Sequence, residues 1–212
     1  GKARKAADFI RLVTAFRKQH YDAALFLQHS FTSSLMIYLS GIPVRIGKAG
    51  QPFITHAAGI DSSLHERKRV LQRLSVLGAD PGRLRDDTEF FFGKADLARA
   101  RTILDERNSE HMVHICMAPG SKWFTKQWPV YHFITLINML SKLDCVIFLI
   151  GSGTDSDVCG AVAAGTENTS VVNLCSDLSL AESGALISVS DLLISNDSAP
   201  VHIADAVHTP VF

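Results

Sequence analysis

The second half of the chain carries its apolar residues in a regular alternation. MVHICMA (112–118), CVIFLIG (145–151), SVVNL (170–174) and LLIS (192–195) are strand-length runs, and the terminal PVF begins another. Between them, residues 130–142, 155–164, 180–189 and 201–206 repeat apolar positions at helical spacing. Buried strands alternating with helices predict a parallel sheet built by crossovers. The first half is less regular. Residues 3–19 read as a helix with Phe9, Ile10, Val13 and Phe16 on one face and Arg and Lys on the other. Residues 22–27 and 44–47 read as strands flanking a helix at 33–39, which Gly41 and Pro43 stop. Residues 48–62 read as a loop, 64–77 as a basic helix ended by Gly78, TEFFF (88–92) as a strand and 94–107 as a charged helix. The polar stretch RNSEH (107–111) is the expected boundary, giving domains 1–107 and 108–212. The chain begins inside a helix and stops inside a strand, so both domains are expected to be incomplete.

Composition narrows the function classes. The 212 residues are 47% hydrophobic and 20% charged, ordinary for an α/β protein. Lys and Arg number 21 and so do Asp and Glu, so there is no basic excess to suggest nucleic acid. No apolar run reaches the roughly 18 residues of a membrane span. Cys116, Cys145, Cys159 and Cys175 form no C-x-x-C pair and fall at positions expected to be buried, as reduced core cysteines of a cytoplasmic protein.

In a parallel sheet, ligands bind beyond the carboxyl ends of the strands. Three segments occupy such places. APGSKWFTKQWP (118–129) offers Gly120 for close backbone approach, the Ser121 hydroxyl and the mobile charge of Lys126, a set suited to phosphate although it is no Walker loop. Trp128 and Pro129 fix the start of the next helix. GSGTD (151–155) is a glycine turn whose Asp155 is placed either to accept from ribose hydroxyls or to cap the following helix. SNDSAPVH (195–202) supplies Ser198 as N-cap and Pro200 in the first turn, so the helix N-terminus is an anion site. Asp197 stands where it can grip sugar hydroxyls, and His202 faces either ligand or core. The histidines show no metal-ligand spacing, and there is no G-x-S-x-G elbow. The run Arg67, Lys68, Arg69 reads as a solvated helix face or as a contact for an anionic acceptor or membrane surface.

Taken together and in this order, PGSKWFTKQWP, GSGTD and NDSAPVH resemble glycosyltransferase family 9, the ADP-heptose:lipopolysaccharide heptosyltransferases. Their P-G-(A/S), K-x-W-P, G-x-x-x-(E/D) and N-D-S-(G/A)-P-x-H pieces are matched here. The segments VVNLCSDLSLAESGALISVSDLLI and RKQHYDAALFLQHSFTSSLMIYLSGIPVRIG are similar as well, so the likeness covers nearly the whole chain.

The resemblance implies an α/β GT-B fold, two Rossmann-like domains with parallel sheets and the donor bound mainly by the second. It implies an inverting transfer of heptose from ADP-heptose to a lipopolysaccharide inner-core or lipid A core acceptor. No cofactor and no metal are expected. By the same analogy Ser121 and Lys126 bind the diphosphate, Asp155 the ribose, Leu178 the base and Asp197 the sugar. The N–H groups of Ser198 and Ala199 bind phosphate, with His202 beside them. Ala199 stands where relatives more often have Gly. The general base, an aspartate of a G-D-x-x-x-x-(T/S)-P loop, is expected upstream of Gly1, and an F-G-x-(T/S) loop beyond Phe212. This stretch alone is therefore expected to bind donor without turnover. The expected setting is cytoplasmic, with peripheral contact to the inner membrane. Two alternatives stay open: a non-catalytic nucleotide-sugar-binding module and a GT-B-type sugar-nucleotide epimerase.

Overall fold

The computed structural model describes residues 2–28, 30–85, 87–107, 111–167 and 170–212. The chain divides into two compact units, Gly1–Asp86 and Asp87–Phe212. The first runs α1 (Lys2–Gln19), β1 (Ala23–Leu25), α2 (Phe31–Leu39), β2 (Val44–Lys48), β3 (His56–Ala58) and α3 (Glu66–Gln72). Its strands pair in parallel in the order β1-β2-β3. Phe26, Ile42, Ile46 and Ala58 form its buried apolar centre. Polar side chains tie the periphery to it. Arg17 donates to Leu39 O on α2 at 2.8 Å, Arg45 Nε to Phe53 O at 2.6 Å, and the buried Arg73 to Leu27 O at 3.1 Å.

Three expectations for this unit are corrected. Residues 48–62 are not all loop, because β3 lies inside them; its sequence, His-Ala-Ala, is too short and too weakly apolar to announce a strand, and it forms by pairing with β2. The basic helix is α only to Gln72 and tightens into a 3-10 turn over Arg73–Leu77, which Gly78 ends in the left-handed region at φ 80°. Ile10 is 64% exposed and does not share the half-buried face of Phe9, Val13 and Phe16.

The second unit continues with α4 (Lys94–Asp105), β4 (Val113–Ala118), α5 (Val130–Leu140), β5 (Cys145–Leu149), α6 (Ser156–Gly165), β6 (Val171–Asn173), α7 (Leu180–Ser188), β7 (Leu192–Ser195) and α8 (Ala199–Val207). All strand pairs are parallel, in the order β6-β5-β4-β7. Pleating sends successive residues to opposite faces. Ile115, Met117, Ile147, Leu149 and Ile194 meet α5 and α6 through Phe133, Ile137 and Val162. Cys116, Ala118, Val146, Phe148, Ile150 and Leu193 meet α4, α7 and α8 through Ile103, Leu186 and Ile203. Both faces are covered, so the strands read as unbroken apolar runs. Val211 makes a parallel bridge to Leu193, beginning the expected further strand.

Because α4 packs on α7, it belongs to this unit, and the division falls before it, not at residues 107–111. Residues 108–110 of that stretch lie outside the described residues. TEFFF is not a strand. It joins no ladder; Phe90 and Phe92 pack onto the α4–α7–α8 core while Phe91 is 80% exposed. The absence of a side chain on Gly184 of α7 makes room for the Phe90 ring, since a Cβ there would lie 2.7 Å from Phe90 Cδ1. Cys116, Cys145 and Cys159 are buried as expected, but Cys175 is only half-buried. No helix among the described residues is long and apolar enough to cross a membrane.

Candidate functional site

The chain order β4, β5, β6 runs outward in one direction, and α7 then returns it to β7 on the other side of β4. The loops that leave β4 and β7 therefore part at a topological switch point, where open parallel sheets bind ligands. A cavity of about 800 Å³ lies at this end of the second unit. It is of the size that takes a small-molecule ligand. The three segments singled out by sequence all contribute to its wall, through Gly120, Ser121, Gly151, Asp155, Ser198 and Ala199. Leu178, Leu180, Ile187 and Ile203 give it an apolar part.

The β4 loop is held in shape by its own bonds. Gln127 Nε2 donates to Ser121 O at 2.7 Å, and a 3-10 turn over Phe124–Lys126 closes with Lys126 N–H on Trp123 O at 2.9 Å. Trp128 stacks on His132 with ring centroids 5.0 Å apart and meets Phe133 edge-on, which fixes the start of α5 as expected. Lys126 does not line the cavity. Its Nζ donates to Asp197 Oδ2 at 2.5 Å, across the switch point. The hydrogen bond from Lys126, followed by its charge and that of nearby His202, holds the Asp197 carboxyl below the usual carboxylate range. Both partners are largely exposed, so the pair adds little to stability and leaves a cation and an anion accessible to a ligand. His202 is exposed beside Asp197 and is not a core residue.

Asp155 closes the turn before α6 and also forms part of the wall. Its Oδ2 accepts from Ser152 N–H at 2.8 Å and from Ser152 Oγ at 2.7 Å. Asp155 is the N-cap of α6 by position, but its carboxylate makes no cap bond to that helix; it closes the 3-10 turn Gly153–Asp155 on Ser152, while its other oxygen faces Gly120. A Cβ on Gly120 would come within 2.9 Å of Asp155 Cβ and closer still to its carboxylate, so the glycine is needed for the two loops to meet. Ser198 is the N-cap residue of α8 by position, but its hydroxyl donates to Asn196 O at 3.2 Å and caps nothing. The α8 N-terminus thus opens on the cavity at Ser198 and Ala199 without a cap bond from the Ser198 side chain, leaving the positive end of the helix dipole for an anion.

Sequence reasoning missed several residues. Lys122, Gln127, Asp157 and Ser183 also line the cavity. Lys122 could have been found, since it follows Ser121 directly; Ser183, on α7, could not be linked to the loops without the fold. Asn196 was passed over in favour of its neighbour Asp197. It is buried, and its side chain bonds Pro119 O at 2.7 Å and Trp128 N–H at 2.9 Å. Among the described residues, no three His, Cys, Asp or Glu side chains come together as a metal site.

The family described as glycosyltransferase family 9 (heptosyltransferase) matches residues 9–212. The chain belongs to glycosyltransferase family 9. This family 9 chain is 25% identical to lipopolysaccharide heptosyltransferase 2 of Salmonella typhimurium over 215 residues, 95% of this chain and 61% of that protein. The crystal structure of the family 9 glycosyl transferase from Veillonella parvula superposes with a TM-score of 0.80 at 19% identity, over 94% of this chain and 60% of that one. Escherichia coli heptosyltransferase WaaC with ADP-2-deoxy-2-fluoro heptose superposes with a TM-score of 0.73 at 19% identity, over 97% and 65%. The chain therefore spans about three fifths of the length of these family 9 relatives. The structural likeness supports the parallel α/β architecture of both units.

Proposed function

We propose that this chain forms the donor-binding part of an inverting heptosyltransferase that moves heptose from ADP-heptose to a lipopolysaccharide core acceptor. The observation that carries the reading is the convergence of all three loops on one cavity that is apolar at Leu178 and Ile187 and open to a helix N-terminus at Ser198. Such a cavity suits a base at one part and a diphosphate at the other. The Lys126–Asp197 pair stands beside it with opposite charges for the two ends of the bond to be broken. Support also comes from the family membership and from the ADP-sugar analogue held by the WaaC structure.

In this reading, an acceptor hydroxyl loses its proton to a general base and attacks the anomeric carbon on the face opposite the nucleotide. The glycosidic electrons leave with ADP. Lys126 and the α8 N-terminus stabilise the departing diphosphate, because preformed charges cost no reorganisation when the bond breaks. Asp197 orients the sugar and favours the positive charge that develops on it. Ser121 binds the diphosphate, Leu178 borders the base, and Asp155 meets the ribose with the oxygen that Ser152 leaves unused. We further read the two units as the Rossmann-like domains of a GT-B type protein. It acts in the cytoplasm, with peripheral contact at the inner membrane and no nucleic-acid partner.

The test is a panel of ADP, UDP and GDP on the full-length protein, read as thermal stabilisation. A ligand at about a hundred times its Kd stabilises the native state by about 2.7 kcal/mol. ADP is expected to stabilise selectively and Lys126→Ala to diminish the effect, while Lys126→Ala and Asp197→Ala both lower turnover with the fold intact. Stabilisation by UDP or GDP alone moves the donor elsewhere. No response to any of the three refutes the phosphate site.

A further inference from the structure

The proposed donor site is made largely from loops that leave adjacent strands, and one side chain joins two of them. Asn196 is the first residue after β7 and is 7% exposed. Both halves of its amide are used: Nδ2 donates to Pro119 O at 2.7 Å, and Oδ1 accepts from Trp128 N–H at 2.9 Å. Pro119 is where the chain leaves β4, and Trp128 is where it arrives at Pro129 and α5. One amide therefore ties both ends of the β4 loop to the β7 side of the switch point. The main chain runs the same way. Asn196 N–H reaches Ala118 O at 3.5 Å, one step beyond the pairing of Ala118 with Ser195. Ser121 and Lys126 ride on the loop between those ends, and Lys126 reaches the next residue, Asp197.

The chemistry demanded at position 196 is narrow. A donor and an acceptor must project from one planar group. A carboxylate can only accept, so it would satisfy Trp128 N–H and set a second oxygen against Pro119 O. A protonated carboxylic acid has nearly the amide's shape and regains the donor as O–H. We propose that Asn196 is a positioning residue for donor binding, fixing both ends of the β4 loop so that Ser121 and Lys126 meet the diphosphate. It acts through that loop and is not in the cavity wall. The proposal rests on the donor-site reading above.

The experiment measures the Kd of ADP by calorimetry on full-length wild type, Asn196→Asp and Asn196→Ala, at about pH 8 and about pH 5. Each variant is compared with wild type at the same pH. With its ties gone, the loop is expected to hold the binding geometry on the order of a tenth of the time, which lowers the apparent affinity about tenfold. Asn196→Ala is therefore expected to weaken ADP about tenfold or more at both pH values. Asn196→Asp is expected to do so at about pH 8 and to recover to within about threefold at about pH 5, because burial at this position raises the new carboxyl above its ordinary range and the protonated acid donates again to Pro119 O. In a Lys126→Ala background, Asn196→Ala is expected to add less than its full tenfold, since one of the two residues it positions is gone. Wild-type affinity in folded Asn196→Ala overturns the proposal, and so does an Asn196→Asp defect that is the same at both pH values. Loss of the fold in both variants, seen by circular dichroism, also overturns it and makes Asn196 a determinant of folding alone. Failure of wild type itself to bind ADP would instead sink the donor-site reading on which the proposal rests.

Discussion

Replacing Gly120 by Ala tests how tightly the loops around the cavity are fitted. The new Cβ would lie 2.9 Å from Asp155 Cβ and still nearer the carboxylate. Asp155 is not free to swing away, because Oδ2 accepts from both Ser152 N–H and Ser152 Oγ. Either the β4 loop lifts or Asp155 abandons Ser152. Forcing one carbon into such a contact costs about 1–3 kcal/mol, and giving up the carboxylate that closes the turn on Ser152 N–H about 0.5–2 kcal/mol. Against this, Ala restricts the unfolded chain and recovers about 0.4–1 kcal/mol. Strain from the added carbon outweighs the gain, and a net loss of about 1–2 kcal/mol is expected. For a protein of this size that lowers Tm by roughly 2–8 °C. Equilibrium urea denaturation should show a lower midpoint with an unchanged slope. The cause is checked by the double variant: with Asp155→Ala already present, Gly120→Ala should cost at least about 1 kcal/mol less than it does alone. A Gly120→Ala protein as stable as wild type, or strictly additive effects of the two substitutions, would refute the close approach of these loops.

The other expectations concern charge and thiols. Lys126 holds the Asp197 carboxyl below its ordinary value of 3.8, so the pairing is present above that pH and is lost only as pH falls through the lowered folded value. The Asp197 carboxyl followed by NMR should therefore titrate below 3.8 in wild type and at a higher pH in Lys126→Ala; an unchanged midpoint would mean that the pair does not form in solution. Burial pushes the Cys116 thiol up to about 12 and raises Cys145 and Cys159 too, whereas Cys175 is half-buried. Iodoacetamide at about pH 8 should accordingly modify Cys175 first, and peptide mapping that finds Cys116 labelled before it would contradict the burial.

How far the sequence could be read depended on whether a feature is local. β4, β5 and β7 announce themselves because residues such as Met117, Phe148 and Leu193 are buried on both sides of the sheet and leave unbroken apolar runs. β3 was invisible because it is three residues long with only Ala58 buried, and its identity as a strand comes from pairing with β2. TEFFF misled for the opposite reason. Its alternation is real, with Phe90 and Phe92 inward and Phe91 outward, but a side-chain pattern does not reveal whether another strand stands beside it. The boundary was misplaced because a charged helix looks solvated, and only the burial of Ala100 and Ile103 against the second unit shows where α4 belongs.

The site divides along the same line. The loops that bear Ser121, Asp155 and Ser198 were legible because each follows a strand and precedes a helix. What joins them was not. Gly120 meets Asp155, Asn196 holds Pro119 and Trp128, and Lys126 pairs with Asp197 across 71 positions of sequence. These contacts differ in kind, and the difference bears on function. The first two are made by buried or close-packed groups and set where the loops lie. The third joins two exposed side chains and fixes nothing, so in the donor-site reading proposed above Lys126 turns from Asp197 to an incoming diphosphate while its loop stays in place. A rigid frame with one mobile cation limits the ordering that binding requires to a single side chain, which is the physical reason to expect Lys126→Ala to weaken donor binding without disturbing the fold.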